Sequence, residues 1–144
     1  MSYLLKSRIK TIEVMIGSLS HATSLSTGDY MTFAFAYDDI GITGGGTDTL
    51  TLSDGHYAAS AVLGASATNA STDEVGYVFE LDGSTIGAFG GRQAIGKVGS
   101  DAADCIFTVQ SGSTSNLKLK ISSVTGTVTT LTSHSQIFLR RVDL

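Results

Sequence analysis

The side chains that could carry chemistry are few and scattered. The histidines are His21, His56 and His134, and the single cysteine is Cys105. No two of them have the close spacing of a zinc site, so each histidine is expected on a surface or in a turn. Asp38-Asp39, and Asp101 with Asp104, could offer oxygen ligands to calcium. Neither set fits a loop of EF-hand type, and solvated strand ends account for them. The glycine groups GITGGG (41–46) and GAFGGR (87–92) lack the strand-to-helix setting of a phosphate cradle and read as turns. There is no Gly-x-Ser-x-Gly elbow, and no Ser/His/Asp set stands out among so many serines. Cys105 alternates with apolar neighbours, which points to a buried, inert thiol rather than a nucleophile. Arg140-Arg141 put one guanidinium on each face of a final strand. One of them is either buried at a subunit contact against a carboxylate or left in solvent. These residues assign no catalytic group, no cofactor and no metal, and the chain is expected not to be an enzyme.

With so little chemistry on offer, composition carries more of the reading. The chain has 144 residues, enough for one domain with a real core. Charged residues make up 15%, against about 25% in an ordinary globular protein. Hydrophobic residues make up 42%, and Ser, Thr and Gly dominate the rest. So little charge covers a monomer poorly, so part of the surface should be buried against copies of the chain or a larger assembly. A net charge of −4 argues against nucleic acid as a partner. No apolar stretch reaches the roughly 18 to 20 residues of a membrane helix. In MSYLLKSRIKTIEVMIGS, Lys6, Arg8, Lys10 and Glu13 break up any signal-peptide core. One cysteine allows no disulfide within the chain. Together these features favour synthesis and assembly in a cytoplasm.

The positioning elements read as strands. Ser53 to Ala67 is the organising stretch. Asp54-Gly55 suits a tight hairpin turn, and the strand after it puts Tyr57, Ala59, Ala61 and Leu63 on one face and Ala58, Ser60 and Val62 on the other. Both faces are small or apolar, so a central strand covered on both sides is expected. Before it, Ile12 to Ser18 reads as a strand, and Tyr30 to Asp38 as another with Met31, Phe33, Phe35 and Tyr37 on one face. Thr49 to Leu52 is a short strand. An alternative for the first segment is a coiled coil, because Leu5, Ile9, Ile12, Ile16 and Leu19 step with heptad rhythm and isoleucine there favours trimers.

After the central strand, Val75 to Leu81 turns at Asp82-Gly83 into Ile86 to Phe89, which Gly90-Gly91 should cut short. Arg92 to Ala102 reads as a loop. Cys105, Phe107 and Val109 alternate with Ile106 and Thr108, and Leu117, Leu119 and Ile121 with Lys118 and Lys120. Thr127 to Leu131 and Ser135 to Val142 complete about ten short strands. With no proline and no long helix, the fold class expected is all-β, a jelly-roll sandwich spanning residues 12–144 behind an arm at 1–11.

The order IEVMIGS, MTFAFAYDDI, TLTLSDGHYAASAVL, YVFELDGSTIGAF, CIFTVQSGS, LKLKIS and SQIFLRRV resembles the trimeric jelly rolls of the C1q and tumour-necrosis-factor superfamily. The Gly55-His56-Tyr57 entry carries the most specific part of the likeness. The resemblance implies a homotrimer, with Phe33, Phe35, Tyr77, Phe79 and Phe138 as candidates to line the three-fold interface. The Ser/Thr/Gly/Ala texture, with neither a collagen-like stalk nor a secretion signal, looks more like a small bacteriophage virion protein than a receptor ligand. On this reading the partner is the major capsid protein or another virion protein, the location is the virion, and neither nucleic acid nor membrane is bound. The arm, through Tyr3, Leu4, Leu5, Lys6, Arg8 and Ile9, would attach the trimer to its host surface. The alternative is a trimeric head that binds a receptor or glycan. Sugar-stacking aromatics on loops would favour that alternative, and the predicted loops carry few.

Overall fold

The computed structural model of the chain describes residues 11–69, 71–92 and 101–143. In order the strands are β1 (Ile12–Ser20), β2 (Thr32–Asp38), β3 (Leu50–Leu52), β4 (Gly55–Val62), β5 (Ala65–Ala67), β6 (Glu74–Leu81), β7 (Ser84–Arg92), β8 (Ala103–Val109), β9 (Ser115–Thr125), β10 (Val128–Thr130) and β11 (Gln136–Val142), with a 3-10 turn at Thr132–His134. They form an all-β jelly-roll sandwich. The strands pair in the order β2-β1-β11-β4-β8-β7-β6-β9-β3, with β10-β5 as a separate pair. Between β8 and β7 the ladder narrows to Ala88 opposite Asp104. There the sheet passes from a first layer, β2-β1-β11-β4-β8, into a second, β7-β6-β9-β3.

Alternation fills the space between the layers. Met15 and Leu19 of β1, Tyr57, Ala59 and Ala61 of β4, Cys105 and Val109 of β8, and Ile137 and Leu139 of β11 point inward from the first layer. Leu50, Leu52, Val75, Tyr77, Phe79, Leu117, Leu119 and Ile121 meet them from the second. Tyr57 stacks on Phe107 with ring centroids 5.2 Å apart. The tip of Tyr77 donates to the Asp101 carbonyl at 2.8 Å and accepts from the Leu63 N–H at 3.3 Å, so its polar end is satisfied inside the core.

The structure corrects several expectations, each for a local reason. Phe33, Tyr77 and Phe79 are wholly buried inside the single chain, so they fill its core and cannot line an interface. Tyr37 does not share the face of Met31 and Phe33. Ile16 lies opposite Tyr37 and Gly17 opposite Phe35, so Ala36 is an extra residue and the bulge turns Tyr37 outward. The return after Asp82-Gly83 does not stop at Gly90-Gly91, because β7 pairs through both glycines with Gly76 and Tyr77. A Cβ on Gly90 would sit 2.5 Å from the Tyr77 ring, so glycine permits close approach there instead of ending the strand. Asp54-Gly55 does not close a hairpin, since β3 pairs with β9 while β4 pairs with β11 and β8. It carries the chain from one layer to the other. The stretch 53–67 is two strands, with β5 leaving to pair with β10. Ile12–Ser20 is a strand, not a coiled coil.

Two predictions follow from this core. Replacing Phe33 with alanine should lower the free energy of unfolding by about 3 to 5 kcal/mol in urea titrations at fixed protein concentration; unchanged stability would place the ring outside the core. For Cys105, burial, followed by the neighbouring Asp104 charge, pushes the thiol pKa up to about 12. The reactive thiolate is therefore scarce at any pH well below that value. At pH 9, where a free thiol is about half ionised or more, alkylation of the folded protein should be slower than in denaturant by on the order of a hundredfold. Equal rates would show that Cys105 does not face the core.

Candidate functional site

The strands of the first layer also have an outward face, and period two decides what it carries. In β1 the residues Ile12, Val14, Ile16 and Ser18 leave the core while Met15, Gly17 and Leu19 enter it. Strand register then sets the outward residues in rows. Ile16, Phe138, Ser60 and Asp104 lie side by side across β1, β11, β4 and β8. Val14, Arg140, Ala58 and Ile106 make the next row, and Ile12, Val142, His56 and Thr108 the next.

The middle of this face is low because β4 contributes Ala58 and Ser60. Phe138 and Arg140 bound the resulting trough on one side, and Ile106 and Asp104 on the other. It runs on past Val62 and Gln136 at one end and past His56 and Thr108 at the other. Large apolar side chains stand beside it in solvent: Ile106 is 83% exposed, Ile12 63% and Phe138 42%. Single exposed hydrophobics are ordinary, but a contiguous set on one sheet face marks an interaction surface. Its charged residues are one cation, Arg140, and one anion, Asp104. Neither has an ion-pair partner among the described residues. His56 sits in the third row with Nδ1 2.9 Å from the Thr108 hydroxyl.

The outward side of the second layer is different in kind. The Tyr30 hydroxyl donates to Glu80 at 2.9 Å, Lys120 lies 3.9 Å from the same carboxylate, and Lys118 is 4.0 Å from Asp48. The Lys118 ammonium also rests 4.4 Å from the centroid of the Tyr30 ring. The hydrogen bond to Glu80, with burial and that carboxylate's charge, raises the Tyr30 phenol above its ordinary range. Charges here are paired within the chain, which suits a face turned to water.

The remaining candidates take structural places. Asp38 accepts the backbone N–H groups of Ile40, Gly41 and Ile42 at 3.0, 3.2 and 2.9 Å, ordering the loop after β2. Asp39 accepts the Val14 N–H at 2.6 Å. His21 approaches Asp29 at 3.5 Å, and His134 lies in the 3-10 turn. Asp101 and Asp104 do not meet in a cation site, and no group of three His, Cys, Asp or Glu among the described residues could hold a metal. Of the aromatic interface candidates, Phe138 lies on the open face and Phe35 is half-buried in the core margin. The arm residues Tyr3, Leu4, Leu5, Lys6, Arg8 and Ile9 lie outside the described residues. Sequence reasoning missed Ile106, Ile12 and Ile16 as surface residues. The signal for Ile106 was available in its alternation with the inward Cys105 and Phe107.

Arg141 takes neither of the places read for the arginine pair. It points inward from β11, while Arg140 points out. Its Nε and Nη2 donate to the Asp54 carbonyl at 2.8 and 2.6 Å, and Nη1 donates to Glu13 at 2.6 Å and to Asp143. The buried arginine is thus held within the chain, not at a subunit contact. Burial alone would lower its pKa, but the Glu13 hydrogen bond and nearby charges raise it on balance. One guanidinium ties β1, β11 and the crossing between layers into a single corner. Gly55 is required there, because a Cβ would lie 2.7 Å from the Arg141 Nε and the residue holds φ +149°.

With this geometry in hand, comparison with known proteins gives a fold but no function. No family model matches the sequence, and no curated protein does. Solved structures do match. The crystal structure of murine APRIL at pH 5.0 superposes with a TM-score of 0.63 and 15% identity, covering 91% of this chain and 99% of that one. Murine APRIL at pH 8.5 gives 0.59 and 16% over the same shares, and at pH 8.0 it gives 0.56 and 15%. Identity at this level speaks to architecture alone: the chain has the jelly-roll fold of TNF-like proteins.

Proposed function

We propose that the protein is a non-enzymatic structural module that works as a homotrimer, with the outward face of β1-β11-β4-β8 buried between copies. The observation that carries this reading is that face itself. It is contiguous, apolar and grooved, and its one charge of each sign has no ion-pair partner among the described residues. Burying Ile106 would contribute up to about 1.5 to 3 kcal/mol, and Phe138, already more than half covered, would contribute less. The TNF-like fold supports three copies in the assembly. The low charge content noted in the sequence supports a chain that hides part of its surface.

Within that reading we place the trimer on a virus particle, most simply as a bacteriophage capsid decoration or a tail or fibre cap. The texture of the sequence and the arm at 1–11 support this. Tyr3, Leu4, Leu5 and Ile9 are costly to leave in water, and Lys6 and Arg8 suit an acidic neighbour. Three arms on one trimer would bind together, so modest single contacts could give tight attachment. A receptor- or glycan-binding head would use the same trimer. The described residues favour it less, because exposed aromatics such as Tyr37 and Phe89 lie on strands and not on connecting loops.

The test is a deletion of residues 2–10. Light scattering should give three times the 14.9 kDa chain mass for both the full chain and the deletion. Only the full chain should co-sediment with particles. A monomeric full chain would overturn the trimer. A deletion that still sediments with particles would overturn the role of the arm, and specific retention of the full chain on a glycan array would favour the head.

A further inference from the structure

The open face has two unlike halves. The β1-β11 half carries Ile12, Ile16 and Phe138 with the cation Arg140. The β8 half carries Ile106 with the anion Asp104. Ala58 and Ser60 of β4 separate them. Arg140 and Asp104 stand on strands two apart, roughly 10 Å in the pairing direction, and in adjacent rows. Among the described residues no ion pair includes either one.

That arrangement constrains how copies can meet. Burying a face leaves any unpaired charge on it desolvated, which is costly unless a partner arrives with the second chain. A two-fold contact sets each half against the opposite half of its partner, so Arg140 would meet Asp104 at both ends. A ring likewise joins one half to the other half of the next copy, and such a heterologous contact closes after a fixed number of subunits. Here the halves complement each other in sign.

We infer that Arg140 of each copy pairs with Asp104 of the next, an ion pair between subunits that sets one half of the apolar face against the opposite half of its neighbour. The apolar side chains hold the copies together, and the ion pair sets their register. This rests on the trimer reading above but is separable from it.

Charge reversal tests it. Arg140→Glu and Asp104→Arg each place like charges across the contact. Each should raise the concentration at which the trimer half-dissociates by about a hundredfold or more, while circular dichroism stays that of the wild type because both side chains are outward. The double variant R140E/D104R restores opposite signs and should recover trimer at near wild-type concentration. If the wild type is a trimer and either single reversal dissociates no more readily, the pairing is wrong though the trimer stands. If both singles dissociate and the double does not recover, the charges matter but not as partners, and the pairing is again overturned. If the wild type is a monomer, both readings fall together. Should a single variant misfold, Arg140→Gln and Asp104→Asn replace the reversals, with a smaller loss in each and a coupling between them as the expected result and simple additivity as the contrary one.

Discussion

The strand register of the first layer is the constraint on which the rest of this structure depends. A strand's side chains alternate, so a slip of one residue between β11 and β4 would exchange the two faces. Leu139 and Ile137 would turn to solvent, and Arg140 and Phe138 would enter the core. The sheet is therefore locked by its own pattern. Arg141 is the exception that reinforces it. As an inward charge on β11 it would be costly alone, but the Asp54 carbonyl, Glu13 and Asp143 all accept from its guanidinium. Those partners come from the layer crossing, from β1 and from the end of the chain, so the corner holds only when the register is right.

The same alternation makes the two outer faces unlike. On the second layer, Lys118, Lys120, Glu80, Tyr30 and Asp48 pair with one another, and their long stems cover the sheet. On the first layer the central strand offers, beyond His56, only Ala58, Ser60 and Val62, too short to shield anything, and larger apolar side chains flank them. Nothing in the chain covers that trough among the described residues. One molecule thus carries a face finished for water and a face left unfinished, and the unfinished one is the face proposed to receive a second copy.

Much of this was legible in the sequence because period two is a strong signal. The jelly-roll class, the inward set Tyr57, Ala59 and Ala61, the buried Cys105 and the half-exposed Lys118–Lys120 strand all follow from alternation between turn residues. What was not legible depends on events between strands. The bulge at Ala36 is invisible in a run that alternates without a break, yet it moves Tyr37 to the opposite face. Gly90-Gly91 reads as a terminator in sequence, whereas the Tyr77 ring makes it a place of close packing. The choice of Phe33, Tyr77 and Phe79 for an interface failed for a related reason. Aromatic bulk says that a residue will be buried, but not whether its own chain or another will bury it. Ile106 shows the converse: a modest residue on the outward phase of a strand is the most exposed large hydrophobic among the described residues. The aspartates of the β2 end looked like possible ligands and prove to be caps for backbone N–H groups, a role that single-chain spacing does not distinguish from cation binding.

Hydroxyl-radical footprinting of the native protein at micromolar concentration, read at Ile106 and Phe138, tests most directly whether the open face of β1-β11-β4-β8 is buried between copies. In the single chain these side chains are 83% and 42% exposed. If copies meet through this face, both will be protected relative to Tyr37, which lies toward its margin, and protection will be lost on dilution to monomer. Modification of Ile106 and Phe138 at the rates of free side chains, in a sample that is nonetheless oligomeric, would place the contact elsewhere and contradict the assignment of this face.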